Sequence, residues 1–450
     1  MPILKLSHRS TPYVLSFLAG AALAVVASCA ATGCTSSAVP PHDPVDEGRV
    51  DPGPGPSDPR LDPPTKEAAK DFAGASNAFA IDLYGTLRDK PGNVIVSPAS
   101  VAMAMAIPWA GARGKTSDEI KKVFHFGGAP DEIASSAAKL SAELQDPKRP
   151  LVLRIANQLY GEQSAPFESP FLELVGKGFG APLAKVDFKR DFEGARASIN
   201  GWVLEKTEKK IADLIPSGAL SDLTRLVIVN AVYFHGDWEQ TFPKDATRKS
   251  AFFAPSGERQ ADMMHAPERQ YGYAEADGLK AVSMDYKGGS MSMVVLLPSE
   301  RDGLPALEKA LTTEKLDAVI GMMGRRAVNV TLPKFKIAPS EALALGPTLA
   351  GLGMATAFDP RASDFTGISN PSQADERIHI DKVFHKAFIE VDEKGTEAAA
   401  ATGIGMNATT SVHPPAAEFV ADHPFLFVLR DNASGLVLFM GRVTDPTEIH

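Results

Sequence analysis

The segment that most constrains the fold is 392–402, which reads DEKGTEAAAAT. It follows an apolar, strand-like run at 383–391, and from Thr396 to Ala408 every second residue is small or apolar. A period of two with one buriable face is the pattern of a half-buried strand. Roughly twenty residues nevertheless pass before the next firm strand, and loops of that length are uncommon in compact domains unless they carry a function. The pattern therefore predicts a loop that can also become a strand.

The rest of the chain predicts an α+β fold, with helices early and strands dominant after residue 225. Helical periodicity is found at 114–124, 131–145, 168–178, 191–209 and 303–320. Strand patterns are found at 152–160, 226–235, 281–286, 291–297, 328–336, 377–391 and 424–442. Because helices and strands do not alternate regularly, a doubly wound parallel sheet is not expected.

The N-terminal part predicts export from the cytoplasm. A short basic stretch precedes an apolar run at 13–27, which is too short for a comfortable membrane span and is typical of a signal peptide over 1–34. Cys29 and Cys34 each follow small residues, as in a bacterial lipobox, and either is a candidate for lipidation; ordinary secretion and a retained anchor are the alternatives. The proline- and glycine-rich segment 35–65 is expected to be an extended linker. The sequence thus predicts a protein that is secreted or lipid-anchored at an outer surface.

Charge and cysteine content exclude several classes of partner. A formal charge of −9 argues against nucleic acid or an anionic membrane surface as a ligand. The densest basic runs, 147–150 and 206–210, are short or interrupted and are typical of a solvated face. Both cysteines precede the folded part, so no disulfide or thiolate metal site is expected there. We predict no metal and no cofactor.

Motifs for catalysis are missing from the sequence. There is no G-x-S-x-G nucleophile elbow and no H-E-x-x-H metal pair. Gly114-Lys115-Thr116 matches the end of a phosphate-binding loop, but Trp109 stands where the upstream glycine is required. The sequence therefore predicts that the protein is not an enzyme.

Several motifs in fixed order resemble one family. They are NVIVSPAS at 93–100, GARGKT at 111–116, LVIVNAVYFHGDW at 226–238, SMVVLLP at 292–298, HKAFIEV at 385–391 and DHPFLF at 422–427. Together with the alanine-rich segment, they make the chain similar to the serpins, protease inhibitors that trap their target by inserting a loop into a sheet. The resemblance extends over 66–450. It implies one large domain with about nine helices, three β-sheets and an exposed, mobile reactive-centre loop.

The resemblance also implies a mechanism. A serine endopeptidase, with a cysteine endopeptidase as the alternative, would attack the loop, and the cut loop would insert as a new central strand before water releases the acyl-enzyme. The expected loop hinge consists of Gly395, Thr396, Glu397, Ala398, Ala399, Ala400 and Ala401. A non-inhibitory serpin that acts as a chaperone, carrier or surface binding module is the alternative. A monomer is expected.

The reactive bond is placed by spacing. Counting forward from Gly395 by the usual serpin spacing gives Thr409–Thr410, whereas counting back from Pro424 leads to the neighbourhood of His413. We favour Thr409–Thr410, with Thr410–Ser411 as the next choice, because the alternation persists to Ala408. No arginine or lysine lies between Gly403 and Glu418, so trypsin-like targets are disfavoured against elastase-, subtilisin- or chymotrypsin-like ones.

A group of internal residues is expected to control opening of the sheet. By the resemblance, these are structural residues located where the central sheet must part, and none of them is a catalyst. The group consists of Ser97, Ser100, Asn230, His385 and Trp238.

Overall fold

The computed structural model describes residues 66–179, 183–373, 376–396 and 415–448. Within these ranges there are nine α-helices: α1 (Lys66–Gly85), α2 (Pro98–Gly111), α3 (Gly114–Val123), α4 (Pro130–Leu144), α5 (Ser169–Phe179), α6 (Phe188–Lys206), α7 (Leu304–Ala310), α8 (Thr313–Met322) and α9 (Gly346–Leu349). The same ranges hold sixteen strands: β1 (Val94–Val96), β2 (Leu151–Glu162), β3 (Ala184–Val186), β4 (Leu226–Asp237), β5 (Arg248–Ala254), β6 (Gly257–Ala276), β7 (Leu279–Asp285), β8 (Met291–Pro298), β9 (Gly324–Pro333), β10 (Phe335–Ile337), β11 (Leu343–Ala344), β12 (Lys382–Val391), β13 (Gly395–Thr396), β14 (Ala417–Val420), β15 (Phe425–Asp431) and β16 (Val437–Val443).

One sheet, here called the central sheet, has the strand order β10-β12-β13-β4-β2-β3, with β11 also on β12. β4 is antiparallel to β2 along almost its whole length. On its other side β4 pairs directly and in parallel with β12, from Lys382 opposite Val227 to Phe388 opposite Tyr233. The two-residue strand β13 lies between β12 and β4 only at one end. The central sheet is therefore closed along most of the β12–β4 boundary and open at one end.

The central sheet is buried on both faces, which explains the continuous apolar run of β4. Val227, Val229 and Tyr233 pack with residues of α6, such as Ile199 and Val203, in one hydrophobic cluster. The alternate positions of β4 face the main core, which also contains α1, α2 and the second sheet. Because the side-chain period of a strand is two, Asn230 and His385 project to the main-core side.

Helix α2 fills the space beneath this face because it is apolar all round. Thirteen of its fourteen residues are buried. Pro98 occupies its first turn, where the missing N–H costs little. The start of α2 therefore brings Ser97 and Ser100 below the central strands.

The second sheet has the order β1-β16-β15-β8-β7-β6-β9-β14, with β5 on β6. Its twenty-residue strand β6 pairs with β5 through its first part and with β7 through its last part. A register shift between Ala266 and Arg269 separates the two parts. The strand bends at this irregularity and joins what would otherwise be two sheets.

The predicted α+β fold and its nine helices are confirmed for the described residues. The expected three sheets form two hydrogen-bonded sheets there, since β6 and β9 run through both parts of the second sheet. The single helix expected at 303–320 is broken into α7 and α8, because Thr312 caps the start of α8 by accepting a hydrogen bond from the Lys315 amide.

Candidate functional site at the opening of the central sheet

The hinge of the predicted loop enters the central sheet. Thr396 is opposite Val391 of β12 and Gly236 of β4, and Gly395 is opposite Asp237. Both pairings are antiparallel, whereas β12 and β4 are parallel to each other. The hinge therefore has the strand direction that one further strand between β12 and β4 would need.

A tight turn at 392–395 connects β12 to the hinge. The Asp392 amide donates to the Gly395 carbonyl at 2.8 Å, and the Asp392 carboxylate accepts from the Lys394 amide at 2.8 Å. A Cβ atom on Gly395 would lie 2.0 Å from the Gly236 carbonyl oxygen. Only glycine allows the two backbones to approach so closely.

Thr396 is fully buried and is held by an aromatic pair. The hydroxyl groups of Thr396 and Tyr286 are 2.7 Å apart. The Tyr286 ring stacks on Trp238 with a centroid separation of 4.5 Å. The Trp238 indole N–H donates to the Asp392 carbonyl at 3.1 Å, and its backbone N–H donates to the Lys394 carbonyl. Trp238 and Tyr286 thus form a buried, stacked pair that contacts the hinge and the turn before it.

Glu393 anchors the same turn through charge. Its carboxylate accepts from Lys334 Nζ at 3.0 Å and from the Thr247 hydroxyl at 2.9 Å. Burial opposes ionisation, but hydrogen bonds from its own backbone, Lys334 and Thr247, together with the Lys334 charge, hold the pKa of Glu393 below its usual value. The ion pair joins the turn to the segment between β9 and β10.

A buried polar cluster crosses three strands in the middle of the central sheet. Asn230 is opposite His385 on one side and Asn157 on the other. Asn230 accepts a hydrogen bond from His385 Nδ1 and donates to Asn157 and to the Ser100 hydroxyl. The Ser97 amide donates to His385 Nε2 at 3.0 Å. The cluster ties β12 to β4 and to α2, so the strands cannot part without breaking it.

These contacts define the state of the histidine. Because Nε2 accepts from the Ser97 amide, Nδ1 must carry the proton that is donated to Asn230. A second proton on Nε2 would face another N–H group. Burial lowers the pKa of His385 to about 3. The cluster is therefore satisfied only when His385 is neutral.

We expect this histidine to make the fold acid-sensitive between pH 6.5 and 3. Its pKa in the folded state lies below the usual value near 6.5 for an unfolded chain, so its stabilising contribution is complete above pH 6.5 and is lost as the pH falls. At pH 5 the loss is about 2 kcal/mol relative to pH 7.5. Denaturant unfolding at the two pH values measures it.

His385→Gln is the test variant for this pH dependence of the free energy of unfolding, and Ser100→Ala, which removes a hydroxyl of the same cluster but no histidine, is the matched control. The His385 variant should be less stable at pH 7.5 but should lose much less on going to pH 5. The control should keep the wild-type difference. An unchanged difference in His385→Gln would contradict the assignment.

The expected residues fall into two groups. Ser97, Ser100, Asn230 and His385 lie in the polar cluster. Trp238 does not belong to that group, because it follows the far end of β4 and contacts the hinge turn. Gly395 and Thr396 are seated in the open end of the sheet.

The remaining expected site residues lie outside the described part of the chain. They are Glu397, Ala398, Ala399, Ala400, Ala401, Thr409, Thr410, Ser411, Cys29 and Cys34.

Three features of the site were not predicted from the sequence. Asn157 interrupts the apolar alternation of β2, and that interruption was a usable signal. Tyr286 and the Glu393–Lys334 pair gave no local signal, because their partners are distant in sequence.

Two features of the described residues bear on other functions. Among the residues that the structure describes, no group of three histidine, cysteine or acidic side chains is arranged to hold a metal ion. None of the described helices is both long and apolar enough to cross a membrane.

The fold and the site together define an α+β protein whose central sheet holds the two-residue strand β13 at its open end, between β12 and β4. The family model described as Serpin (serine protease inhibitor) matches residues 74–446, and the chain belongs to the serpin family. The description of that family model names protease inhibition and no catalytic activity.

Individual relatives are similar over most of the chain. Human leukocyte elastase inhibitor is 39% identical over 386 residues, which cover 83% of this chain and 99% of that protein. Human Serpin B8 is 36% identical over 381 residues, covering 84% and 100%. Among solved structures, uncleaved ovalbumin has a TM-score of 0.75 at 28% identity and covers 83% of this chain and 100% of its own. Serpin48 of the insect Tenebrio molitor has a TM-score of 0.71 at 32% identity, covering 83% and 98%.

Proposed function

We propose that this protein inhibits an elastase-like serine endopeptidase as a suicide substrate, by cleavage of its 397–414 loop and insertion of the loop into the central sheet. One observation carries the proposal. Thr396 already pairs antiparallel with the ends of both β12 and β4, and Gly395 pairs with the end of β4. An inserting strand would only extend a pairing that exists.

The register of this pairing supports insertion of the loop as far as Met406. Each step along the loop past Thr396 moves one residue back along both β4 and β12. Six residues on, Thr402 would therefore meet Asn230 and His385, which are themselves register partners. Met406 would meet Leu226, the first residue of β4. The stretch of β4 from Gly236 back to Leu226 thus has the same length as the segment from Thr396 to Met406, whose alternate residues are small or apolar.

The same register explains why alternate residues are small. Thr396 faces the main core, so Ala398, Ala400 and Thr402 would follow it onto that face. There they must enter a close-packed interior, where larger side chains typically cost about 1–3 kcal/mol each. A threonine opposite the polar cluster could also offer a hydroxyl to it.

Insertion would be driven by backbone pairing. It would replace one parallel β12–β4 boundary with two antiparallel ones, and antiparallel pairing is slightly more stable per residue. The chemistry would belong to the target, whose nucleophile forms the acyl-enzyme. Translocation of the acylated protease would then deform its active site before water completes hydrolysis.

The alternative is a serpin fold used without inhibition, as a chaperone, carrier or surface binding module. Bulky or charged residues at the hinge positions that would face the main core would favour that alternative, but this chain has Thr396, Ala398 and Ala400 there. The names of the leukocyte elastase inhibitors also support inhibition and an elastase-like target.

Specificity would follow from the residue before the cut, for which we propose Thr409. The inserting segment reaches the start of β4 at Met406, which leaves a short link to a bond at Thr409–Thr410. A small neutral side chain suits a shallow pocket. It leaves a buried carboxylate, as in a trypsin-like pocket, without a partner.

The Thr409→Arg variant tests this assignment. The wild-type protein should inhibit pancreatic elastase at least about tenfold faster than trypsin, because an unpaired buried charge costs more than a missing methylene. Thr409→Arg should reverse that order. Second-order rate constants with both enzymes provide the measurement.

The neighbouring variant Thr410→Arg is the matched control, and it should leave the order as in the wild type. If Thr410→Arg reverses the order and Thr409→Arg does not, the bond lies one residue further on. If wild-type protein traps trypsin faster than elastase, the proposed target class is wrong.

We further propose that the chain is exported and tethered by a lipid on Cys29 or Cys34, with 35–65 as the spacer. The support is the sequence pattern alone, since the relatives named above are animal proteins. Replacing both cysteines with alanine should move the protein from the membrane fraction to the soluble fraction of the producing cell. A wild-type protein that is already soluble would mean simple secretion.

A further inference from the structure

A cavity of about 810 Å³ lies away from the hinge and the polar cluster. Its walls come from β5, α7, the connection between α1 and β1, and the segment before β15. Most of the wall is apolar and consists of Phe253, Ala254, Pro255, Leu304, Pro305 and Pro424. Pockets for small molecules typically have volumes of about 300–1,000 Å³ and mainly apolar walls. The cavity is therefore of the size and character of a ligand site.

The floor of the cavity is a buried and fully engaged ion pair. Glu308 and Arg442 have side-chain exposures of 5% and 4%, and their closest atoms are 2.9 Å apart. Tyr84 donates to the same Glu308 oxygen. Arg442 also donates to the carbonyls of Arg88 and Gly92. These bonds fix the α1–β1 connection against β16, so the cavity is a built feature of the fold.

The rim of the cavity is positive. Arg88, Arg301 and Lys309 are exposed there, against two acidic residues, Asp89 and Asp302. None of the three cations forms an ion pair with another described residue. The guanidinium carbon of Arg301 is 3.3 Å from the centroid of the Phe253 ring. The stacked pair forms a flat surface with a positive charge at the edge of an apolar space.

We propose that this cavity binds a small molecule with a flat apolar body and one anionic group. The body would lie on the prolines and the Arg301–Phe253 stack, where its burial is favourable. The anionic group would stay at the rim beside Arg301 and Lys309. The site does not depend on loop insertion, because none of its walls belongs to β4, β12 or β13.

A matched pair of fluorescent probes tests both parts of the proposal. The anionic probe is 1-anilinonaphthalene-8-sulfonate, and N-phenyl-1-naphthylamine has the same body without the sulfonate. The full-length protein should bind one equivalent of the anionic probe and should bind the neutral probe about five- to tenfold more weakly. Arg301→Ala should weaken the anionic probe by a similar factor, and Ala254→Phe, which fills the cavity, should abolish binding of both.

Arg326→Ala is the control for Arg301→Ala, since Arg326 also lies over an aromatic ring, that of Tyr273, but outside the cavity. It should bind both probes like the wild type. Thermal unfolding of each variant shows whether it is folded. Wild-type affinity in both Arg301→Ala and Lys309→Ala, or equal loss in Arg326→Ala, would overturn the proposal even if Ala254→Phe did not fold.

Discussion

Cleavage of the 397–414 loop is expected to raise the thermal midpoint of this protein by more than about 10 °C. Insertion would gain about ten backbone hydrogen bonds, at a net value of about 1 kcal/mol each. For a domain of this size, 1 kcal/mol shifts the midpoint by about 1 °C, given the usual entropy of unfolding per residue. The measurement is calorimetry of the intact protein and of the protein cut in the loop.

The Thr396→Arg protein, cut in the same way, is the matched control for that experiment. It carries the same nick but cannot bury its hinge, so its midpoint should stay close to that of its uncut form. Equal midpoints for cut and intact wild-type protein would mean that the loop does not insert, which is the result expected of a non-inhibitory serpin.

The second large effect concerns trapping by the Thr396→Arg variant itself. Thr396 is fully buried, and its described side-chain partner is the neutral Tyr286 hydroxyl, so a guanidinium there would bring a charge into a site built for a neutral hydrogen bond. Burying such a charge costs several kcal/mol, so the strand should enter too slowly to arrest the acyl-enzyme. We expect the variant to be cleaved as a substrate, with covalent trapping reduced on the order of a hundredfold.

The fold should survive this substitution, because β13 has only two residues and the core does not depend on it. Thr396→Ser keeps the hydroxyl that meets Tyr286 and should trap the target like the wild type. Undiminished covalent trapping by Thr396→Arg, measured on denaturing gels against time, would contradict entry of the hinge into the sheet.

The parts of the fold that could be predicted from sequence are those with strong local patterns. β4 and β12 are continuous apolar runs because both of their faces are covered. Helix α2 is apolar all round and begins with proline. The small residues after Gly395 predict a hinge, and the structure describes only the first two residues of that segment.

Other parts of the fold could not be predicted, because they depend on an irregular strand or on contacts between residues that are distant in sequence. β6 was missed since its charged and polar residues, together with the register shift between Ala266 and Arg269, obscure the period of two. The pairing of Glu393 with Lys334 joins residues 59 positions apart. Nothing local to either residue indicates the other.

Trp238 was expected to lie in one group with Asn230 and His385, but the structure places it elsewhere. The sequence puts it eight residues after Asn230, and an extended strand carries it far along the sheet. Trp238 therefore contacts the turn at Asp392 that precedes the hinge, and it does not belong to the polar cluster. Two separate groups of side chains therefore lie along the β12–β4 boundary, the Trp238–Tyr286 pair at its end and the His385–Asn230 cluster in its middle.

The most direct test is to incubate the protein with pancreatic elastase and to analyse the products after boiling in detergent. Suicide inhibition with cleavage at Thr409–Thr410 predicts a conjugate with the summed mass of the protease and the inhibitor lacking its C-terminal peptide, together with a released peptide that begins at Thr410. The elastase should lose its activity in step with the conjugate. Complete cleavage of the loop with no conjugate and with fully active elastase would contradict it.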